Sequence, residues 1–270
     1  MIIGMVRYAV FCSEGEFAKN QKQLKNLYEE PYFTDRFNIF CNITLKSFSE
    51  QTDKDFVLCI YQTNTIPKDK RVLFDEIEKK YSFVRCIYIE DAKMPIPEDL
   101  IEPRTITFRI DNDDGVPVNF IERLQEIKNN TKESNFVITI PKIRKIMRIG
   151  ENKYKTNSIY YPLKTHSIGL AYLSDNDKNI MDLGDHTKCY KRYPTKVLDG
   201  NGGLQILNGY NVGNSIGKAK SRILDKSSLD ILLKKEGYAA VDVSCLPIIK
   251  QDINQEKNPV KNTKKWRFCQ

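Results

Sequence analysis

The stretch TITFRIDNDD, residues 105–114, decides the fold and indicates the chemistry of this chain. Its first part is apolar and alternating, which predicts a buried strand that ends in three carboxylates. Carboxylates grouped at a strand end repel one another unless a cation lies among them, and Mg2+ and Mn2+ prefer oxygen ligands. Alternation predicts that Asp111 and Asp113 point to one side and Asn112 and Asp114 to the other. The stretch therefore indicates a site for a metal and a diphosphate, with a solvated acidic turn as the alternative.

The residues around this stretch form an alternating series of strands and helices. We predict strands at residues 6–12, 56–61, 83–89, 105–110 and 135–140, with helices at residues 34–48 (capped by Thr34 or Asp35), 67–80 and 117–128. Strands separated by helices imply βαβ units and a mostly parallel sheet. Ligands of such sheets bind beyond the carboxyl ends of the strands, where the acidic stretch lies.

The second half of the chain changes character. Residues 145–161 read as a hairpin that turns at 150–153, residues 175–178 and 199–203 are polar loops, and residues 227–235 form a short helix. Without a clear linker, we predict one domain over residues 1–250. Residues 1–140 would bind the nucleotide sugar and 141–250 the acceptor, and residues 251–270 would form a basic tail.

Composition narrows the class of protein. The chain has 270 residues, of which 40% are hydrophobic and 29% charged, values typical of globular proteins. No apolar stretch is long enough to cross a bilayer and the start is no signal peptide, so we expect a cytoplasmic protein. The net charge of +8 suits an anionic ligand or an acidic membrane surface. No nucleic-acid module accompanies it, so no nucleic-acid partner is expected.

The basic tail is a candidate for peripheral contact with the inner face of the membrane. The alternative is a solvated tail without a function. The residues that would make this contact are Lys257, Lys261, Lys264, Lys265, Trp266 and Arg267.

The order of these segments resembles the GT-A glycosyltransferase fold, an α/β fold with a Rossmann-like, mostly parallel central sheet and helices on both faces. Up to about residue 214, the chain also resembles the bacterial family of putative rhamnosyltransferases. The segments that carry this resemblance are Arg7-Tyr8, Arg36-Phe37 with Phe40, Thr44-Leu45 with Ser47 and Gln51, Phe56, Arg109 to Asp114, Gly184-Asp185-His186 and residues 204–211. The last segment departs from the family pattern, because Asn208 stands where the family often has histidine.

The resemblance implies transfer of a hexosyl group, such as a rhamnosyl group, from a nucleotide diphosphate sugar to an acceptor hydroxyl on a glycan or lipid-linked glycan. It implies a role in cell-surface polysaccharide or glycoconjugate synthesis. A divalent metal, Mn2+ or Mg2+, would stabilise the charge of the departing diphosphate.

The resemblance also implies roles for individual residues. Asp113 would bind the metal, and Asp111 would share it or lie near the ribose. His186 would complete the metal shell or contact the diphosphate. Arg7, Arg109 and Asp114 are assigned with Asp111 to nucleotide-sugar binding, although Arg7 could equally be a surface arginine. Asp185 is the candidate base for the acceptor hydroxyl and Asp199 its rival, although aspartate often only holds a turn.

Two other classes of protein fit the acidic stretch. A nucleotidyltransferase or metal-dependent phosphohydrolase also groups carboxylates around Mg2+. A non-catalytic nucleotide-sugar-binding protein would keep the fold without turnover. Hydrolysis that is independent of any acceptor would favour the former, and metal-independent binding without turnover the latter.

Overall fold

A computed structural model describes residues 1–10, 27–91, 93–161, 166–176, 178–209, 216 and 221–249. The strands are β1 (Ile2–Ala9), β2 (Val57–Thr63), β3 (Val84–Ile89), β4 (Thr105–Ile110), β5 (Phe136–Thr139), β6 (Lys142–Gly150), β7 (Lys153–Tyr160), β8 (Leu170–Ser174), β9 (Thr195–Val197), β10 (Gly203–Leu207) and β11 (Arg222–Leu224). The α-helices are α1 (Tyr32–Ile39), α2 (Lys46–Ser49), α3 (Lys68–Lys80), α4 (Phe120–Asn130), α5 (Cys189–Arg192) and α6 (Lys226–Lys235). A π-helix (Phe40–Leu45) joins α1 to α2, and short 3-10 helices span Glu98–Leu100, Ile180–Leu183, His186–Lys188 and Val243–Cys245.

The central sheet has seven strands in the order β3-β2-β1-β4-β8-β5-β9. The first four strands of this order are mutually parallel, whereas β8 is antiparallel to both of its neighbours, β4 and β5. Strand β9 is parallel to β5. The predicted α/β class with a mostly parallel sheet is therefore confirmed, and the sequence analysis did not anticipate β8 or β9 as strands.

The two faces of this sheet carry different apolar cores because side chains alternate along each strand. Helices α1, α3 and α4 pack on one face, where Phe40, Phe74 and Phe108 are fully buried. The 3-10 helix Ile180–Leu183 and α5 cover the other face, where they pack with Met5 of β1 in a second apolar cluster. The carboxyl ends of β1, β2 and β4 meet at one edge between these layers.

A second sheet, in the order β10-β6-β7-β11, stands beside the first. Strands β6 and β7 form the hairpin predicted from residues 150–153, and β10 pairs parallel to β6. One face packs on Ile39 and Ile43 of the α1–π-helix segment and on α6. A Cβ at Gly202 would lie 1.7 Å from the carbonyl oxygen of Lys142, so the loop before β10 requires glycine there.

Several boundaries differ from the predictions. Strand β1 starts at Ile2 and ends at Ala9, rather than running over residues 6–12. The helix expected to start at Thr34 or Asp35 starts earlier, after Pro31, without a side-chain cap. The proposed tail lies outside the described residues. Within the described ranges, every helix is too short or too polar to cross a membrane.

Candidate functional site

The four residues Asp111–Asp114, here called the Asp turn, leave the sheet directly after β4. The strand ends at Ile110, and the amide N–H of Asp114 donates to the carbonyl oxygen of Asp111 at 3.2 Å, which closes the turn. The backbone is therefore a turn rather than an extended strand, but the exposure of the four side chains still alternates as predicted: Asp111 and Asp113 are partly exposed, whereas Asn112 and Asp114 are buried. Each carboxylate has different neighbours.

Side chains of the π-helix, of α2 and of the residue Gln51 just after α2 hydrogen-bond the backbone of the Asp turn and of the segment that follows it. The Thr44 hydroxyl donates to the carbonyl oxygen of Asp114 at 2.8 Å, and the Ser47 hydroxyl accepts from the Val116 amide at 3.3 Å. The Gln51 side chain hydrogen-bonds the backbone at the start of α4. All three side chains are buried. They belong to the motif that carried the family resemblance, and π-helical turns often occur at functional sites.

Asp111 lies on the cationic side of the turn, together with Arg109 and His186. Arg109 Nη2 lies 3.5 Å from Asp111 Oδ1, and Arg109 Nη1 lies 3.2 Å from His186 Nδ1. The Arg109 side chain is 11% exposed and that of Asp111 37%. Burial raises the pKa of Asp111, but the positive charges of Arg109 and Arg7 outweigh it and leave this pKa below its usual value. Asp111 is therefore an anion beside two arginines.

His186 is held in one tautomer by this arrangement. Arginine can only donate hydrogen bonds, so Nδ1 of His186 is the acceptor and the ring proton lies on Nε2. Burial and the charge of Arg109 lower the pKa of His186 to about 4, so the ring is neutral at pH 7. In this tautomer Nε2 of His186 is a donor rather than a lone pair, which suits contact with a diphosphate better than a bond to a metal.

Asp113 and Asp114 make their hydrogen bonds with β10 and with the residue that follows it. Asn208 Nδ2 donates to Asp113 Oδ2 at 2.9 Å, and the amide of Ile206 donates to Asp114 Oδ1 at 3.3 Å. Burial raises the pKa of Asp114 well above its usual value, and the charges of Asp113 and Asp111 add to this effect. Asp114 is thus a buried latch between the two sheets, whereas the Asp113 carboxylate is partly exposed.

Arg7 and Asp185, two other predicted site residues, lie beside the cationic side of the Asp turn. Arg7 in β1 acts electrostatically on Asp111, Arg109 and His186, which brings it into the cationic side. Asp185 precedes His186 and caps its 3-10 helix, because Oδ1 accepts from the Thr187 amide at 2.9 Å.

Asp199 is not brought into this cluster. It is exposed and follows β9, at the far edge of the sheet. Three strand spacings separate β9 from β4, a distance of roughly 14 Å. The neighbouring charge that Asp199 meets is Arg123 in α4. The assignment of a catalytic base to Asp185 or Asp199 stays a prediction.

Residues to which the sequence analysis gave no role complete the edge of the sheet. Arg36 Nη2 donates to Asn112 Oδ1 at 3.0 Å and to the carbonyl oxygen of Tyr8. In the described part of the chain, Arg36 Nη1, Asn112 Nδ2 and both amide atoms of Gln62 are buried without a hydrogen-bond partner. Unsatisfied buried polar groups are rare and costly, so such a group of them indicates bound water or a ligand. The Arg36-Phe37 motif was the sequence signal that could have identified these buried polar residues.

The expected metal ligands do not form a closed cage. Across the described ranges, no three or more His, Cys, Asp or Glu side chains are grouped so that they could hold a metal ion by themselves. The donor set at the turn comprises the carboxylates of Asp111 and Asp113. This set fits a cation that takes its remaining ligands from a bound diphosphate, as Mg2+ commonly does.

The comparisons with known proteins concern both the sequence and the fold. The family model described as "Putative rhamnosyl transferase" matches residues 1–220. Curated protein sequences gave no match. The chain is similar to the crystal structure of S. aureus TarS 1-349, with 10% identity and a TM-score of 0.43 over 76% of this chain. It spans 60% of the length of that structure. The complex of TarS 1-349 with UDP-GlcNAc matches with 11% identity and a TM-score of 0.42, over 81% of this chain and 60% of the other.

Proposed function

The chain belongs to the putative rhamnosyl transferase family, and from this premise we propose that it transfers a glycosyl group from a nucleotide diphosphate sugar to an acceptor hydroxyl. The observation that carries this proposal is the convergence of Arg109, His186 and the Asp turn at the carboxyl end of β4. Carboxyl ends of parallel strands are where α/β sheets bind their ligands.

The cationic side of the Asp turn suits a diphosphate. Arg109 is largely buried, so its charge acts with little screening by water, and Arg7 adds a second positive charge. The Nε2–H of His186 can donate to a phosphate oxygen. Charge develops on the diphosphate as the bond to the sugar breaks, and donors fixed in advance stabilise that charge most effectively in the transition state. The unpartnered donors of Arg36 and Asn112 could contact the nucleoside.

We propose that Mn2+ or Mg2+ binds at the turn together with the diphosphate. Asp113 would be the main protein ligand, and Asp111 would share the metal where Arg109 releases it. The metal, when bound, would act as a Lewis acid on the diphosphate oxygens. The supporting observation is the pair of carboxylates, which remain partly exposed beside the cationic side.

The acceptor would lose its proton to a base if the reaction inverts the anomeric centre. Asp185 lies nearer to the turn than Asp199, but its hydrogen bonds from Thr187 and its ion pair with Lys188 favour a capping role. Asp185→Asn separates the two roles, because asparagine caps as well as aspartate but accepts no proton. We expect this variant to keep its thermal stability, and a loss of turnover above 100-fold would assign the base to Asp185.

We further propose that the acceptor is a cell-surface glycan or a lipid-linked glycan, and that the basic tail contacts the inner face of the membrane. The support is the charge of residues 257–267 alone. Each basic residue near an anionic surface contributes about 1 kcal/mol, and salt screens it. Liposome sedimentation at low and high salt, with and without residues 251–270, would separate docking from a tail that makes no contact.

Binding and turnover test the transferase activity together. Thermal shift with UDP, dTDP and GDP, each with Mn2+ and with EDTA, should show stabilisation that depends on the nucleotide and increases with metal. A nucleotide-sugar turnover assay should then depend on an added acceptor. Hydrolysis at the same rate without acceptor would favour a phosphohydrolase, and metal-independent binding without turnover would favour a binding protein.

A further inference from the structure

Strand β10 runs along the Asp turn and contacts it at successive positions. The Gly115 amide donates to the Leu204 carbonyl oxygen at 2.9 Å, and the Leu204 amide donates back to Gly115 at 2.8 Å. Two residues further along β10, the Ile206 amide donates to Asp114 Oδ1 at 3.3 Å. Alternate residues of β10 therefore fix the turn from the side of the second sheet.

Asn208 is the next residue in this alternation, just past the end of β10. Its side chain, rather than its backbone, reaches the turn, and Nδ2 lies 2.9 Å from Asp113 Oδ2. An ionised carboxylate only accepts hydrogen bonds, so the amide must face Asp113 with its nitrogen. Asn208 is 5% exposed, which protects this hydrogen bond from competition with water.

We infer that Asn208 is a positioning residue for the transfer reaction: its amide holds the Asp113 carboxylate in one orientation, ready to bind the nucleotide diphosphate with its metal. This inference rests on the proposed function. The terminal torsion of an aspartate is broad, so loss of this hydrogen bond would widen the range of orientations that the carboxylate samples. A ligand that must first order the side chain binds more weakly than one that meets a fixed group.

A double-mutant cycle tests whether Asn208 acts through Asp113. The variants are Asn208→Leu, Asp113→Ala and the double variant, and the probes are UDP, dTDP and GDP, each with Mn2+, in calorimetric titration. Asn208→Leu should weaken the affinity of the best-binding nucleotide at least fivefold in the parent chain. In the Asp113→Ala background it should change this affinity less than twofold. An equal loss in both backgrounds would overturn the positioning role.

Asn157→Leu is the matched control for the loss of a buried asparagine. Asn157 is 3% exposed in β7 and donates through Nδ2 to the Ile216 carbonyl oxygen. Its replacement should lower the midpoint of thermal unfolding without changing nucleotide affinity. If none of the three nucleotides binds the unmodified chain, the proposed function fails; if one binds and the cycle shows no coupling, only the positioning role fails.

Discussion

The two sides of the Asp turn place the same kind of residue in opposite surroundings. Asp111 is partly exposed beside Arg109, and its pKa is lowered. Asp114 lies three positions further along, is 2% exposed, and contacts the backbone of β10, and its pKa is raised. The surroundings, and not the residue type, decide which carboxylate is available as an anion and which serves as a latch. Pairs of acids whose pKa values are driven apart are common at active sites.

Asp113 is partly exposed and hydrogen-bonded to Asn208, and its replacement should lower turnover more than any other substitution at the Asp turn. Asp113→Asn removes the charge of the proposed metal ligand at a partly exposed position, so turnover should fall more than tenfold while the fold survives. Turnover assays with Mn2+ and circular dichroism measure the two parts of this expectation. Asp230→Asn, at a partly exposed position of α6 where Asp230 pairs with Lys226, is the control and should leave turnover unchanged. Full activity of Asp113→Asn would remove Asp113 from the proposed metal site.

Replacement of Arg109 should weaken binding of the diphosphate without affecting the buried hydrogen bond of Asp114. Arg109→Gln removes the charge that acts on Asp111 and His186, so nucleoside diphosphates should bind about tenfold more weakly, a loss of about 1.4 kcal/mol. Binding of the free nucleoside, which lacks phosphates, should barely change. The same contrast applies to His186→Ala, with a smaller loss. Calorimetric titration of both ligands measures it, and equal losses for both would contradict a phosphate contact.

The neutral state of His186 predicts a pH dependence of stability. Its folded pKa of about 4 lies below the usual 6.5, so between these values the unfolded chain binds more protons than the folded chain. The contribution of His186 is therefore fully present above pH 6.5 and is lost as the pH falls towards 4. Urea unfolding of the parent and of His186→Gln should show a difference in unfolding free energy that changes across this window. A constant difference would mean that His186 is not held neutral.

Replacement of Asp114 should change the free energy of unfolding least when its hydrogen bond to the Ile206 amide is kept. Asp114→Asn preserves an oxygen that accepts from the Ile206 amide, so the free energy of unfolding should change by less than about 1 kcal/mol. Asp114→Leu leaves that buried amide without a partner and should cost about 1–3 kcal/mol. Denaturant unfolding compares the two. Similar costs for both variants would show that Asp114 acts as a charge rather than as a hydrogen-bond acceptor.

The parts of the fold that sequence predicts well are those with local signals. Strand β4 covers Thr105–Ile110 as its alternation predicts, α3 follows Pro67, and the hairpin turns between Gly150 and Lys153. Strand β8 was missed because a short apolar segment carries no sign of where it will pair. It lies between β4 and β5 and pairs antiparallel with both, so its place depends on partners that lie far from it in sequence.

The candidate site divides in the same way. The sequence by itself determined which chemistry is present: the carboxylates after a buried strand, the arginine before them, and the alternation that makes a mostly parallel sheet. Only the tertiary structure decided which carboxylate meets which partner. Arg109 and His186 are 77 residues apart and Asp113 and Asn208 are 95, so neither contact leaves a periodic trace in the chain. The physical reason is that charge state and orientation depend on burial and on neighbours from distant strands, which exist only once the two sheets have packed.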